Sequence, residues 1–159
     1  MGIIEGVTAE ILNHAGVPSA GTDEVQTLTI DASGGTFKLA FEGFITSAIS
    51  WSATNNTLRD NVDTALEALP SIGTGGITTA VGTMTNGVGT LTLTFAGNRG
   101  KQAIGSLVTV ANNSLTGTAT LSIAETTPGV DATFRGAPKG QLVVDTTNGK
   151  LYINTGTAL

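Results

Sequence analysis

Between residues 35 and 69 the hydrophobic period changes, and that change restricts the chain to folds in which a helix packs on a sheet. Phe37, Leu39 and Phe41 alternate with Thr36, Lys38 and Ala40, the period of two of a strand with one face on a core. A second extended piece covers 44–51. Then Leu58, Val62, Leu66 and Leu69 recur at spacings of four, four and three, as one stripe of an amphipathic helix requires. Thr54, Asn55, Asn56 and Thr57 stand where an N-cap belongs, and Pro70 ends the helix. Two strands followed by a helix with a single apolar stripe bury that stripe only against a sheet.

The rest of the chain reads mostly as strand and turn. Residues 23–30 form a first strand and 31–35 the turn after it, with glycines for positive φ. A Gly-rich loop over 71–76 leads to a short strand at 77–81. A turn follows at 84–89, with the Asn86-Gly87 pair that type I′ hairpins favour. Residues 89–97 then repeat the pattern of 35–43, with Leu91, Leu93 and Phe95 on one face and Thr90, Thr92 and Thr94 on the other. A weaker copy lies at 117–125. The spacings are unequal, so the copies are strands in like environments and not a solenoid. Residues 98–101 read as a basic turn, 103–111 as a strand and 112–115 as a turn. Trp51, the only tryptophan, reads as a core plug in preference to a stacking platform.

The two ends differ from the middle. Ile3, Ile4, Val7, Ile11 and Leu12 give residues 1–14 an apolar helical face, and the segment 15–22 behind it is a Pro/Gly-containing linker. This segment is either a helix folded onto its own domain or an arm that docks on a partner. Residues 126–140 read as an exit linker. Leu142 and Val144, then Leu151 and Tyr152, flank an Asn148-Gly149 turn. That marks a hairpin that must lean on the domain or on another subunit.

The expected fold is therefore α+β, mainly β. It is an antiparallel sheet or a sandwich with one packed amphipathic helix, an N-terminal helical arm and a C-terminal β-hairpin. The expected organisation is an arm and linker over 1–22, a β-rich domain over 23–125 with its helix at about 55–69, and a linker with hairpin over 126–159.

Composition narrows the functions. The chain has 159 residues and no cysteine, which excludes disulfides and thiolate metal sites. A single histidine, His14, cannot build a multi-histidine metal site. The seven Lys and Arg are scattered singly and the net charge is −5, so no basic patch offers itself to nucleic acid. No apolar run approaches the ~20 residues of a membrane span, and the first residues lack the basic start of a secretory signal. Charged residues are only 12 % and mean hydropathy is positive, which suggests that neighbours cover part of the surface.

No catalytic template is met. A Ser/His/Asp relay would need His14, far from the expected core. Asp60, Asp63 and Glu67 fall at helical spacing and read as a solvated face rather than a glycosidase pair. The glycines at 73–76 and 87–89 lack the Lys-Ser/Thr pair of a phosphate loop. Asp23, Glu24 and Asp31 do not follow the pattern of a calcium loop. The expectation is a chain that is no enzyme and has no catalytic residue, metal site or cofactor. The threonine strands point instead to association, because a neutral β-prone surface invites pairing. The oligomer contacts expected are Thr90, Thr92, Thr94, Leu142, Val144, Leu151 and Tyr152.

Residues 22–30, the Gly-Gly-Thr-Phe-Lys-Leu-Ala-Phe run and the helix ending Leu66-Glu-Ala-Leu-Pro-Ser-Ile-Gly73 resemble a module recurrent in virion proteins of tailed bacteriophages. Residues 140–156 are similar to a hairpin common in phage head-fibre and tail-fibre subunits. Together these stretches span most of the chain beyond the arm. The resemblance implies a structural subunit on the outer capsid surface of a virion, made in the host cytoplasm. Its role would be a decoration (cement) protein or short head fibre, commonly trimeric, with the major capsid protein lattice as partner. Under that reading Ile3, Ile4, Val7, Ile11 and Leu12 contact the capsid, and neither nucleic acid nor membrane is bound. The competing readings are a tail or tail-fibre component, which normally carries a longer repetitive shaft, and a surface- or carbohydrate-binding adhesion module, which needs exposed aromatics.

Overall fold

The computed structural model describes residues 21–132 and the strands at 142–145 and 150–153. The expectation of an α+β, mainly β chain with one amphipathic helix holds. Of the two arrangements left open, it is the sandwich. One sheet has the order β5-β6-β1-β8, built from β1 (Val25–Asp31), β5 (Ile77–Thr85), β6 (Val88–Phe95) and β8 (Thr120–Thr127). The other is built on β2 (Gly34–Phe41). The short strands β3 (Phe44–Ile45) and β4 (Ile49–Ser50) pair with one part of β2 each, and β7 (Thr109–Thr116) also pairs with it. Helix α1 (Asn55–Glu67) follows β4.

The residues at 31–35 do not reverse the chain, contrary to the turn expected there. Asp31 is opposite Thr120 in one sheet and Gly34 is opposite Thr116 in the other. β1 and β2 are thus one long strand, β8 and β7 another, and the two run antiparallel through a corner. Gly35 at φ +91° and Gly117 at φ +84° make that corner possible. A Cβ on Gly35 would sit 2.3 Å from the Ser114 carbonyl oxygen.

Residues 112–115, also expected as a turn, are the middle of β7. Asn112, Asn113 and Ser114 carry turn chemistry, but they pair with Lys38, Phe37 and Thr36. Residues 103–108 form no strand. The Asn86-Gly87 turn is as expected: both residues have positive φ, 50° and 73°, and Thr85 pairs with Val88. The strand before it runs to Thr85 and not only to residue 81.

The period-two residues meet between the sheets. Leu28, Ile30, Leu91, Leu93 and Phe95 from one sheet, and Phe37, Leu39, Phe41, Ile49 and Leu115 from the other, form one buried cluster. Leu58, Val62, Leu66 and Leu69, the predicted stripe, join it. Fully burying a side chain of this size contributes about 1.5–3 kcal/mol. A one-residue slip would move a whole strand's set to solvent, so the pattern fixes the register. The helix starts at Thr54 without a side-chain cap.

Residues Thr22–Val130 make one compact unit, whose ends are tied by two backbone hydrogen bonds between Thr22 and Val130, of 2.9 and 3.0 Å. In the other unit, β9 (Leu142–Asp145) and β10 (Lys150–Ile153) pair antiparallel with Leu151 opposite Val144 and Tyr152 opposite Val143.

Candidate functional site

The outer face of the β5-β6-β1-β8 sheet is where three of the expected contact residues lie. Thr90, Thr92 and Thr94 are half-buried on β6, directly across from Thr29, Thr27 and Val25 on β1. On the far side of β1, Thr27 and Thr29 face Ala124 and Ser122 of β8, and on β5 Ala80 and Thr78 face Thr92 and Thr94. The result is a surface of Thr, Ser and Ala across the whole sheet. Several hydroxyls bond within it: Thr92 Oγ1 donates to the Ala80 carbonyl at 3.4 Å, and the Oγ1 atoms of Thr27 and Thr126 are 3.1 Å apart. Such a face offers shape and methyl groups, not charge.

The acids of α1 have structural work. Asp63 Oδ1 accepts the Thr79 N–H at 2.8 Å, and Glu67 Oε1 accepts the Gly75 N–H at 2.7 Å. Asp60 is bonded to Arg59, its Oδ1 accepting from Nε at 2.9 Å. The solvated face expected of these residues therefore describes Asp60 and not Asp63. On the other side of the helix Asn61 donates to the Ser50 carbonyl of β4 at 2.9 Å. Asn55 donates to the Met84 carbonyl at 2.9 Å and accepts the Gly87 N–H at 2.8 Å. Helix α1 is thus stitched to the edge strand of each sheet.

The basic turn is similarly engaged. Arg99 donates Nε to the Ser71 carbonyl at 2.8 Å and pairs with Glu42. Its guanidinium lies 5.4 Å from the centroid of Phe41, which in turn packs on Phe95. Lys101 pairs with Asp23 at 3.3 Å. Trp51 is half-buried at the margin of the core and donates Nε1–H to the Gly87 carbonyl at 3.1 Å. It is a clasp on the β5–β6 turn as well as a packing residue.

A groove of ≈ 260 Å³ lies between β4 and α1, lined by Ser47, Ala48, Ser50, Asn61, Thr64 and Ala68 among others. None of its lining residues is ionisable. Among the described residues no three His, Cys, Asp or Glu come together to hold a metal ion, and no helix is long and apolar enough to cross a membrane.

Two features went unread in the sequence. Glu24 and Gln26 are buried, at 2 % and 0 % exposure. They occupy the same strand phase as Leu28 and Ile30, which was the available signal. Glu24 accepts from Gln26 Nε2 at 2.7 Å and from the Ile104 N–H at 2.8 Å. Gln26 accepts the Val108 N–H at 2.8 Å and donates to the Ser106 carbonyl at 3.1 Å. These two side chains stand in for a strand partner, and they explain why 103–108 is ordered without being a strand. The second feature is the unequal treatment of the sheet edges: α1 lies along β5, whereas β8 pairs with β1 alone among the described strands.

Ile3, Ile4, Val7, Ile11 and Leu12 lie outside the described residues. Leu142, Val144, Leu151 and Tyr152 fall within β9 and β10, which pair as a hairpin.

The fold and these surfaces define a mainly β sandwich closed on one side by a helix. No protein-family model matches the chain, and no curated protein sequence matches it significantly. A solved structure from Mycobacterium phage Patience is similar at 14 % identity and a TM-score of 0.47, over 86 % of this chain and 48 % of that one. The chain thus spans about half of that protein's length, and the likeness is too distant to assign a role.

Proposed function

We propose that this chain is a structural virion protein of a tailed phage. In this reading it decorates the outer surface of the head as a cement protein or short head fibre and catalyses nothing. The observation that carries the reading is the resemblance of residues 22–73 and 140–156 to phage virion modules. The neutral Thr/Ser/Ala sheet face supports it, because such a surface suits packing against like copies. The arm residues Ile3, Ile4, Val7, Ile11 and Leu12 bind the major capsid protein lattice, burying apolar area worth about 25 cal/mol per Å². Thr90, Thr92 and Thr94, with Leu142, Val144, Leu151 and Tyr152, join copies into an oligomer, with a trimer favoured. Linked copies gain avidity and hold neighbouring capsomers together. No nucleic acid, membrane or cofactor takes part.

The test is deletion of residues 1–16, followed by binding of the purified protein to undecorated heads. The expected result is loss of binding with the sandwich still folded by circular dichroism. Heads coated at full occupancy by the truncated protein would overturn the arm assignment.

A further inference from the structure

The two edges of the β5-β6-β1-β8 sheet are finished differently, and strand phase shows how. The Glu24 carbonyl accepts the Phe95 N–H at 2.9 Å, so at even positions β1 turns its backbone toward β6, and at Val25, Thr27 and Thr29 toward β8. These residues pair with Thr127, Ala124 and Ser122. It follows that Leu121, Ile123 and Glu125 direct their N–H and C=O groups away from the sheet. The same reasoning turns the backbone of Thr79 outward from β5, and there Asp63 meets its N–H. β8 has no such cap among the described residues, and it carries only one charge, Glu125, and no proline. It lacks the charges and prolines with which edges are usually blunted. The core runs out at the same place: Leu121 and Ile123 face inward beside Ile30 and Leu28 but are only partly buried.

We propose that this edge docks a second copy of the same chain, β8 against β8 in antiparallel register about a two-fold axis at Ile123. The helix-capped β5 edge is what selects this partner arrangement. Head-to-tail extension of this sheet would need its β5 edge as well, and α1 lies along that edge. Among the described residues this sheet can therefore meet its own copy only β8 to β8, and the pairing is isologous. The β7 edge belongs to the other sheet. With Ile123 opposite its own copy, Leu121 exchanges hydrogen bonds with Glu125 of the other copy. Ser122 then stands opposite the other Ala124, and Thr120 opposite the other Thr126. The two Glu125 carboxylates are kept apart, which removes the like-charge clash of a chain at net −5. The paired Ile123 side chains complete the core layer that each copy leaves half covered. The inference goes beyond the virion reading and does not depend on it. A trimer formed through the threonine face is a different assembly with a different mass.

The test is backbone hydrogen exchange on the full chain across a dilution series, with the mass measured by sedimentation. The expected result is an assembly with this two-fold contact: a dimer or, with the threonine-face trimer also formed, a dimer of trimers. Its Leu121, Ile123 and Glu125 amides are protected when concentrated and exchange at least tenfold faster on dilution. The Ser122 and Ala124 amides, bonded to β1, stay protected throughout. The chain has no cysteine, so a Ser122→Cys, Ala124→Cys double variant adds an independent readout: oxidation should give a disulfide-linked dimer through the 122–124 pair. The variant Glu125→Pro removes an outward N–H without breaking a β1 bond and should abolish the two-fold contact. A monomer at every concentration overturns the proposal. So does an oligomer in which these three amides exchange freely, or protection that persists in a monomer, which would mean that a segment of the same chain covers the edge.

Discussion

Asp63 on the helix accepts the backbone N–H of Thr79 on β5 at 2.8 Å, and this bond caps an outward N–H in the middle of the edge along which α1 lies. An unpaired strand N–H beside a core is costly, and an ionised acceptor is the stronger kind of partner. On the opposite flank of α1, Asn61 supplies the matching bond to β4. One helix turn therefore fastens the edges of both sheets. The nearby Asp60 is exposed and, among the described residues, bonded only to its neighbour Arg59.

Asp63→Ala should consequently destabilise the sandwich by about 1.5–3 kcal/mol, whereas Asp60→Ala should stay within about 0.5 kcal/mol of the parent. Asp63→Asn keeps an acceptor oxygen and should fall between them. Thermal unfolding followed by circular dichroism ranks the three. An Asp60 variant as damaging as the Asp63 variant would remove the edge-capping role.

Thr79 provides a second test at the same spot, with the opposite sign. Among the described residues its side-chain Oγ1 is buried and has no hydrogen-bond partner, although its backbone N–H is bonded to Asp63. A buried hydroxyl without a partner costs roughly 1–3 kcal/mol. Thr79→Val keeps the shape, removes the hydroxyl and retains β-propensity. It should raise the midpoint of urea unfolding, by an amount equivalent to about 1 kcal/mol. A lower midpoint would mean that the hydroxyl is satisfied after all.

Gln26 holds the loop that replaces the expected strand at 103–108. Gln26→Leu leaves the Val108 N–H and the Ser106 carbonyl without partners, at a cost of about 1–3 kcal/mol for each buried group left unsatisfied. The Val108 amide should then exchange with solvent much faster than in the parent, while the amides of β6 keep their protection relative to global unfolding. Uniform loss of protection in both places would show that Gln26 supports the whole fold and not the loop alone.

What the sequence made legible was periodic. The strand phase of Phe37, Leu39 and Phe41, the stripe Leu58, Val62, Leu66 and Leu69, and the Asn86-Gly87 turn are read from neighbours within a few residues, and each is found as expected. The errors share a cause. Residues 31–35 and 112–115 carry glycine, serine and asparagine, which normally mark reversals, yet both lie on strands that continue through or toward a corner. Nothing local distinguishes a corner in a long ribbon from a turn; the register between β1–β2 and β7–β8, about eighty residues apart in sequence, decides it. The site was legible to the same degree. Thr90, Thr92 and Thr94 do share one sheet face, but the capped and open edges depend on which strand lies last in the sheet, a property of topology.

The last prediction uses the single tryptophan as its own reporter. Gly87 has φ +73°, and a Cβ there would lie 2.2 Å from the Ser52 carbonyl oxygen and 2.8 Å from the Trp51 ring. Gly43 has φ +84° but open space around it. Gly43→Ala therefore meets only the left-handed backbone penalty, about 1–2 kcal/mol. Gly87→Ala meets that penalty and a backbone clash, and it must push Trp51 off the Gly87 carbonyl that its Nε1–H now reaches. The expected outcome is a red shift of tryptophan emission and a distinctly lower melting temperature in Gly87→Ala, with parental emission in Gly43→Ala. Equal melting losses with unshifted emission in both would show that Trp51 does not clasp the β5–β6 turn, because the only cost left in common is the backbone conformation itself.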